Sequence, residues 1–110
     1  MPLLSVVVPA YNESGTISQA IGKIYSVLID KEIIVVDDSS SDGTGKILNG
    51  LAYGNLKVIH HSSNRGKGAA VLTGLSHACG EYYLVRGPVP RGSREDQAAD
   101  AERYGQAQDA

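Results

Sequence analysis

Two adjacent carboxylates, Asp37 and Asp38, directly follow the apolar run Ile33–Val36. Neighbouring acids repel each other, and that cost is retained where a ligand, a cation or donated backbone N–H groups offset it. A second cluster, Asn64-Arg65-Gly66-Lys67-Gly68, sets two cations among two glycines. Glycine allows close backbone approach at a helix start, where free N–H groups and the helix dipole favour anions. A third cluster, Pro9-Ala10-Tyr11-Asn12-Glu13, ends another apolar run with an aromatic ring, an amide and a carboxylate. Each cluster also has a plainer reading. Asn12 and Glu13 can simply lead into a helix, Gly66 and Gly68 can form a tight turn with solvated basic neighbours, and Asp42-Gly43 reads first as a helix cap and turn.

The elements that would position these clusters follow from hydrophobic period. Leu3–Val8, Glu32–Asp37, Leu56–His60 and Tyr82–Val85 are short β-branched or aromatic runs bounded by turn residues, as buried strands are. Ile17, Ile21, Ile24 and Leu28 fall four, three and four apart, on one face of a helix that Ser14 or Thr16 can cap. A second helix starts at Asp42 as N-cap and carries Ile47, Leu48 and Leu51. A third runs from about Gly66 to Ala78 with Val71, Leu72, Leu75 and Ala78 inward. The order βαβαβαβ with right-handed crossovers gives an α/β fold built on a parallel, helix-covered sheet. Ligands of such sheets bind at the carboxyl ends of the strands, and all three polar clusters lie at such ends.

Several other chemistries are excluded. Neither Gly45-Lys46-Ile47 nor Gly66-Lys67-Gly68 is followed by the Ser or Thr of a phosphate-binding loop, and no G-x-G-x-x-G follows the first strand. His60 and His61 are adjacent at a strand end, so they point to opposite faces and cannot grip one metal; they read as ordinary strand-end residues. Cys79 follows Ala78 at a helix end and reads as packing rather than as a nucleophile. A signalling receiver carries its paired acids on the first strand with a phosphoacceptor Asp beyond, which this chain lacks. With 10 basic and 12 acidic residues in 110, the net charge of −2 gives no basic excess for general nucleic-acid binding. A lone cysteine rules out an internal disulfide framework and fits a reducing, cytoplasmic compartment. No apolar run approaches the roughly 20 residues of a membrane span, and the start Met1-Pro2-Leu3-Leu4 lacks the basic region of a signal peptide.

Leu4–Glu13 (LSVVVPAYNE), Glu32–Thr44 (EIIVVDDSSSDGT) and Asn64–Ala70 (NRGKGAA) resemble the amino-terminal half of family 2 glycosyltransferases of the GT-A fold. The Asn-Arg-Gly-Lys-Gly loop is most similar to the branch acting on polyprenyl or dolichyl phosphate. The resemblance covers about residues 3–85 and implies a Rossmann-like, nucleotide-sugar-binding half-domain over residues 1–85 with strand order 3-2-1-4, its fourth strand at an edge. It implies inverting transfer of a hexose from a UDP- or GDP-sugar to a polyprenyl phosphate, at the cytoplasm or the cytoplasmic membrane face. By resemblance Pro9, Ala10, Tyr11 and Glu13 line the nucleotide pocket, Asp38 with the backbone of Val36 contacts the base, and Asn12, Asp37, Arg65 and Lys67 are additional contacts. An acidic acceptor suits base recognition because uracil and guanine both present N–H donors.

The sequence departs from that pattern after its fourth strand. There the family places an Asp-x-Asp that binds Mg²⁺ or Mn²⁺ across the diphosphate, whereas here Val85 is followed by Arg86-Gly87-Pro88-Val89-Pro90-Arg91, with no acid until Glu95. The metal site is therefore expected to be absent from this chain. Composition changes at the same point. Residues 1–85 hold 26 Ile, Leu or Val and residues 86–110 hold one, while four of the five arginines fall at 86, 91, 94 and 103. So few branched apolar residues cannot offset the entropy of ordering, which predicts a disordered tail over 86–110. Two origins fit that change, a shifted reading frame or a truncated paralogue. The alternatives to a working transferase are a non-catalytic nucleotide-binding remnant and a non-functional truncated product.

Overall fold

The computed structural model describes residues 1–86; the tail expected over 86–110 lies, apart from Arg86, outside the described residues. Four strands, β1 (Leu4–Ala10), β2 (Lys31–Asp37), β3 (Leu56–His60) and β4 (Tyr82–Val85), form one sheet in the order β3-β2-β1-β4, with β4 at an edge. Every pairing is parallel, with Val6 opposite Ile33, Val8 opposite Val35 and Asp37 opposite His60. The helices α1 (Ile17–Ser26), α2 (Thr44–Asn49) and α3 (Lys67–Ser76) connect them.

Strand alternation sorts the core into two faces. Val6, Val8, Ile33 and Val35 pack with Ile17 and Ile21 of α1 and Leu48 of α2. Val7 meets Val71 and Val85 on the opposite face, where Ile34 and Val36 meet Ala70. Both faces are covered, so β1 and β2 are continuous apolar runs and not alternating ones.

Two expected core residues are outside. Leu28 is fully exposed because α1 stops at Ser26 and Val27 turns extended, with ψ at 129°. The buried Lys31 ammonium draws the chain around at that point, donating to the carbonyls of Tyr25 and Val27 at 3.1 and 2.6 Å. Leu72 is 69% exposed. The sheet-facing side of α3 is instead made by Ala70, Val71 and Gly74, all buried, with Leu75 and Ala78 partly buried beside them. Small residues there let the helix sit close to the sheet: a Cβ on Gly74 would overlap Val7 Cγ1.

The helix starts also differ from the expected caps. Thr16 is the N-cap of α1 but its side chain makes no capping hydrogen bond. Gly43, at φ 95°, takes the N-cap position of α2, one residue after Asp42. Asp42 still serves that end, since its Oδ1 accepts the Thr44 N–H at 3.1 Å.

Candidate functional site

The rim at the carboxyl ends of β1, β2 and β3 carries a cleft of about 350 Å³. Of the residues singled out in the sequence, Pro9, Ala10, Tyr11, Glu13, Asp38 and Lys67 line it. Asn64, Gly66 and Ala70 line it as well. Those three belong to the Asn64–Ala70 segment, of which the sequence offered Arg65 and Lys67 as contacts and Gly66 and Gly68 for close backbone approach; nothing local distinguishes which member of a glycine-rich loop faces inward. Val36 is fully buried, its side chain packed with Ala70 beneath the cleft. Asn12, Asp37 and Arg65 stand outside the lining and build the loops around it.

Parity places the two acids on opposite faces of the sheet, and each meets its own histidine. Asp37 shares the face of α2: its Oδ2 lies 2.9 Å from His60 Nδ1, and its Oδ1 accepts the Ser40 N–H at 3.1 Å. His60 Nε2 continues to Asn49 Oδ1 at the end of α2, 2.9 Å away. Asp38 faces α3: its Oδ1 lies 2.8 Å from His61 Nδ1, and His61 Nε2 lies 2.8 Å from Thr73 Oγ1. The two histidines therefore do diverge, as strand alternation requires, but they are not ordinary strand-end residues. Each holds one carboxylate of the acidic pair to one helix. No local pattern reveals this; it follows from the register that sets β3 beside β2.

Asp38 ties three segments of the rim together. Besides His61 it accepts the backbone N–H groups of Arg65 at 2.9 Å and Gly66 at 2.8 Å. Asn64 Nδ2 donates to its carbonyl at 3.3 Å. Burial pushes its pKa up, but the His61 donor and the Arg65 and Gly66 N–H groups outweigh burial and hold it below the ordinary value. The acid at the end of β2 thus fixes the glycine turn at the start of α3. Gly66 has φ 93°, a conformation glycine adopts without a Cβ penalty.

The first loop is fixed from the second. Asn12, in the left-handed region at φ 50°, donates its N–H to Ser40 Oγ and accepts the Ser41 N–H on Oδ1 at 2.8 Å. Asp42 Oδ2 accepts the Ser14 N–H at 3.0 Å, and Thr44 Oγ1 accepts the Glu13 N–H at 2.9 Å. The Asp42 carboxyl is lowered to about 2, chiefly by the Thr44 hydroxyl, which together with the Ser14 and Thr44 N–H donors outweighs its desolvation. Glu13 is shifted the other way. Desolvation raises its pKa, Asp42 adds to that, and the Arg86 guanidinium opposes it. Of these two carboxyls only Glu13 lines the cleft, where burial favours its protonated form, while the donors around Asp42 favour its anion.

Whether these residues could hold a divalent metal is settled by their chemistry. Among the described residues no group of three His, Cys, Asp or Glu could hold a metal ion. Directly after β4 stands Arg86, whose backbone N–H donates to Val7 O at 2.8 Å and whose buried Nη1 has no hydrogen-bond partner. A guanidinium there repels a cation and has no lone pair to coordinate one. The described residues do not fit a divalent metal. Among the described residues no helix is long and apolar enough to cross a membrane.

Comparison with known proteins matches residues 5–86 to the family model described as glycosyl transferase family 2. The chain is 42% identical over 93 residues to a dolichyl-phosphate beta-glucosyltransferase of Saccharomyces cerevisiae, covering 74% of this chain and 28% of that protein. It is 35% identical over 83 residues to a polyprenol monophosphomannose synthase of Mycolicibacterium smegmatis, covering 73% and 31%. Its fold superposes on a mannosyltransferase of Pyrobaculum calidifontis, solved in complex with GDP-Man and Mn²⁺, with a TM-score of 0.71 and 30% identity over 94% of this chain and 32% of that one. The chain spans less than a third of the length of these relatives.

Proposed function

The chain belongs to glycosyl transferase family 2, and from that premise we propose that its rim cleft binds a nucleotide diphosphate sugar, UDP- or GDP-linked, for inverting hexose transfer to polyprenyl phosphate. The observation that carries this reading is the convergence of three distant segments on one cleft: Pro9–Glu13, Asp38 and Asn64–Lys67. Asp38 offers acceptor oxygens to a base N–H, with Val36 supplying backbone beside it. The exposed ring of Tyr11 borders the same space. The amino end of α3 opens there beside Asp38 with a glycine, Gly66, as its N-cap, and its dipole, with Lys67, favours the anionic diphosphate. A phosphate acceptor is already anionic and needs less general-base assistance than a sugar hydroxyl. A lipid acceptor would bring the reaction to a membrane face, here taken as the cytoplasmic one.

In the relative solved with Mn²⁺ and GDP-Man a metal accompanies the sugar nucleotide. A divalent ion neutralises leaving-group charge when it is bound. In this chain Arg86 favours a second reading, nucleotide binding without metal-assisted turnover. The two separate in one experiment. The chain is incubated with UDP-glucose or GDP-mannose and a polyprenyl phosphate, with and without Mn²⁺, and glycolipid product is measured alongside nucleotide binding. Transfer supports the first reading, binding without product the second, and neither binding nor product refutes both.

A further inference from the structure

The strand-end histidine His61 belongs to no segment that carried the functional reading, yet its side chain is only 5% exposed and both ring nitrogens are engaged. A carboxylate only accepts, so the 2.8 Å contact to Asp38 Oδ1 requires a proton on His61 Nδ1. Thr73 Oγ1, 2.8 Å from Nε2, is then free to donate to that nitrogen and fix the tautomer. The backbone is fixed too, because the His61 N–H donates to Asp37 O at 2.9 Å. Thr73 lies on α3, His61 follows β3, and Asp38 lines the cleft. The three side chains form a continuous chain from helix to cleft.

We propose that His61 is a positioning residue for nucleotide binding: through Nδ1–H it holds the Asp38 carboxylate at the orientation in which that acid both anchors the Gly66 turn and faces the cleft, with Thr73 holding the imidazole. His61 itself does not line the cleft and acts only through Asp38. The inference rests on the reading of the cleft as a nucleotide site. Without the imidazole the Asp38 side chain retains the Arg65 and Gly66 N–H donors at the start of α3 but loses its donor from the end of β3, and its rotamer is no longer determined from both sides.

The test uses the full chain, with uridine and guanosine diphosphate as probes in titration calorimetry, and ¹⁵N spectra of the histidine rings. His61→Phe keeps the ring and removes both hydrogen bonds; the dissociation constant of whichever diphosphate binds should rise roughly tenfold or more. His61→Asn places an amide N–H close to the position of Nδ1, and should restore affinity to within about threefold of the parent protein. A purely structural role would lower thermal stability in both variants without that rescue. In the parent protein the ring spectrum should show the proton on Nδ1 of His61. An affinity unchanged in folded His61→Phe, or a His61 ring protonated on Nε2 alone, overturns the proposal. If neither diphosphate binds the parent protein, the nucleotide reading of the cleft fails, and this proposal with it. The ring spectrum then reports separately whether His61 holds Asp38.

Discussion

The carboxylate of Asp38 accepts the backbone N–H of Gly66 at 2.8 Å, joining the end of β2 to the start of α3 across 28 residues of chain. One corner of the cleft is therefore a side chain and the adjacent corner is the backbone that it orders. Removing the acceptor disturbs both.

Asp38→Asn should lower stability by about 1–3 kcal/mol, because an amide turns one acceptor atom into a donor facing N–H groups that are already donors. Urea unfolding monitored by circular dichroism measures this. Stability equal to the parent protein would mean that the turn at Gly66 does not depend on the acid.

Gly74→Ala pits two effects against each other. Alanine is the better helix former by about 1 kcal/mol, but its Cβ would overlap Val7 Cγ1 and sit 3.4 Å from Val36 Cγ2. Overpacking a closed helix–sheet contact costs typically about 1–3 kcal/mol, so net destabilisation is expected in the same unfolding assay. A gain in stability would show that α3 is free to move away from the sheet.

Leu72→Lys and Leu28→Lys should each change stability by no more than about 0.5 kcal/mol, as substitutions at exposed sites do. Both positions look like core in the sequence and are exposed in the fold. A loss of 2 kcal/mol or more, the size expected for a core position, in either variant would return that residue to the core.

These two leucines show where the sequence was legible and where it was not. The strands could be read from their β-branched runs, and their order and parallel pairing follow from chain connectivity together with the resemblance. The stripe of α1 was correct through Ile24, but the same period continued past the helix end to Leu28, because periodicity carries no information about where Lys31 turns the chain. In α3 the buried face joins Val71, which the sequence placed inward, with Ala70 and Gly74, which hydrophobic counting passes over in favour of Leu72. At the cleft, the placement of Pro9, Ala10, Tyr11, Glu13, Asp38 and Lys67 was legible because they stand at strand and helix ends. Asp37 with His60, and Asp38 with His61, were not, since a pairing between strands 23 residues apart depends on register. The readings for the residues after Arg86 lie outside the described residues.

Acid stability should depend on Glu32, far from the cleft at the amino end of β2. Burial alone would raise its pKa, but the Cys79 N–H, the Ser5 hydroxyl and the Lys57 ammonium outweigh burial and hold it at about 2, against an ordinary 4.5. A folded-state pKa below the unfolded value contributes stability that is fully present above pH 4.5 and is lost as pH falls from there toward 2. Glu32→Gln should be less stable than the parent protein at neutral pH and should show a flatter decline over that window. Parallel stability–pH curves would remove Glu32 from the acid transition.

The most direct measurement of the central claim is titration calorimetry of uridine and guanosine diphosphate against the parent chain, Asp38→Asn and Asp37→Asn, each first shown to be folded. Saturable binding of a diphosphate is expected. Asp38→Asn should weaken it by about 1.5–3 kcal/mol, the worth of one charge-assisted hydrogen bond. Asp37→Asn should leave it within about twofold, since that acid faces α2 and stands outside the cleft. Equal affinity in the parent protein and Asp38→Asn, or a larger loss in Asp37→Asn, would contradict the assignment of this cleft as the nucleotide site.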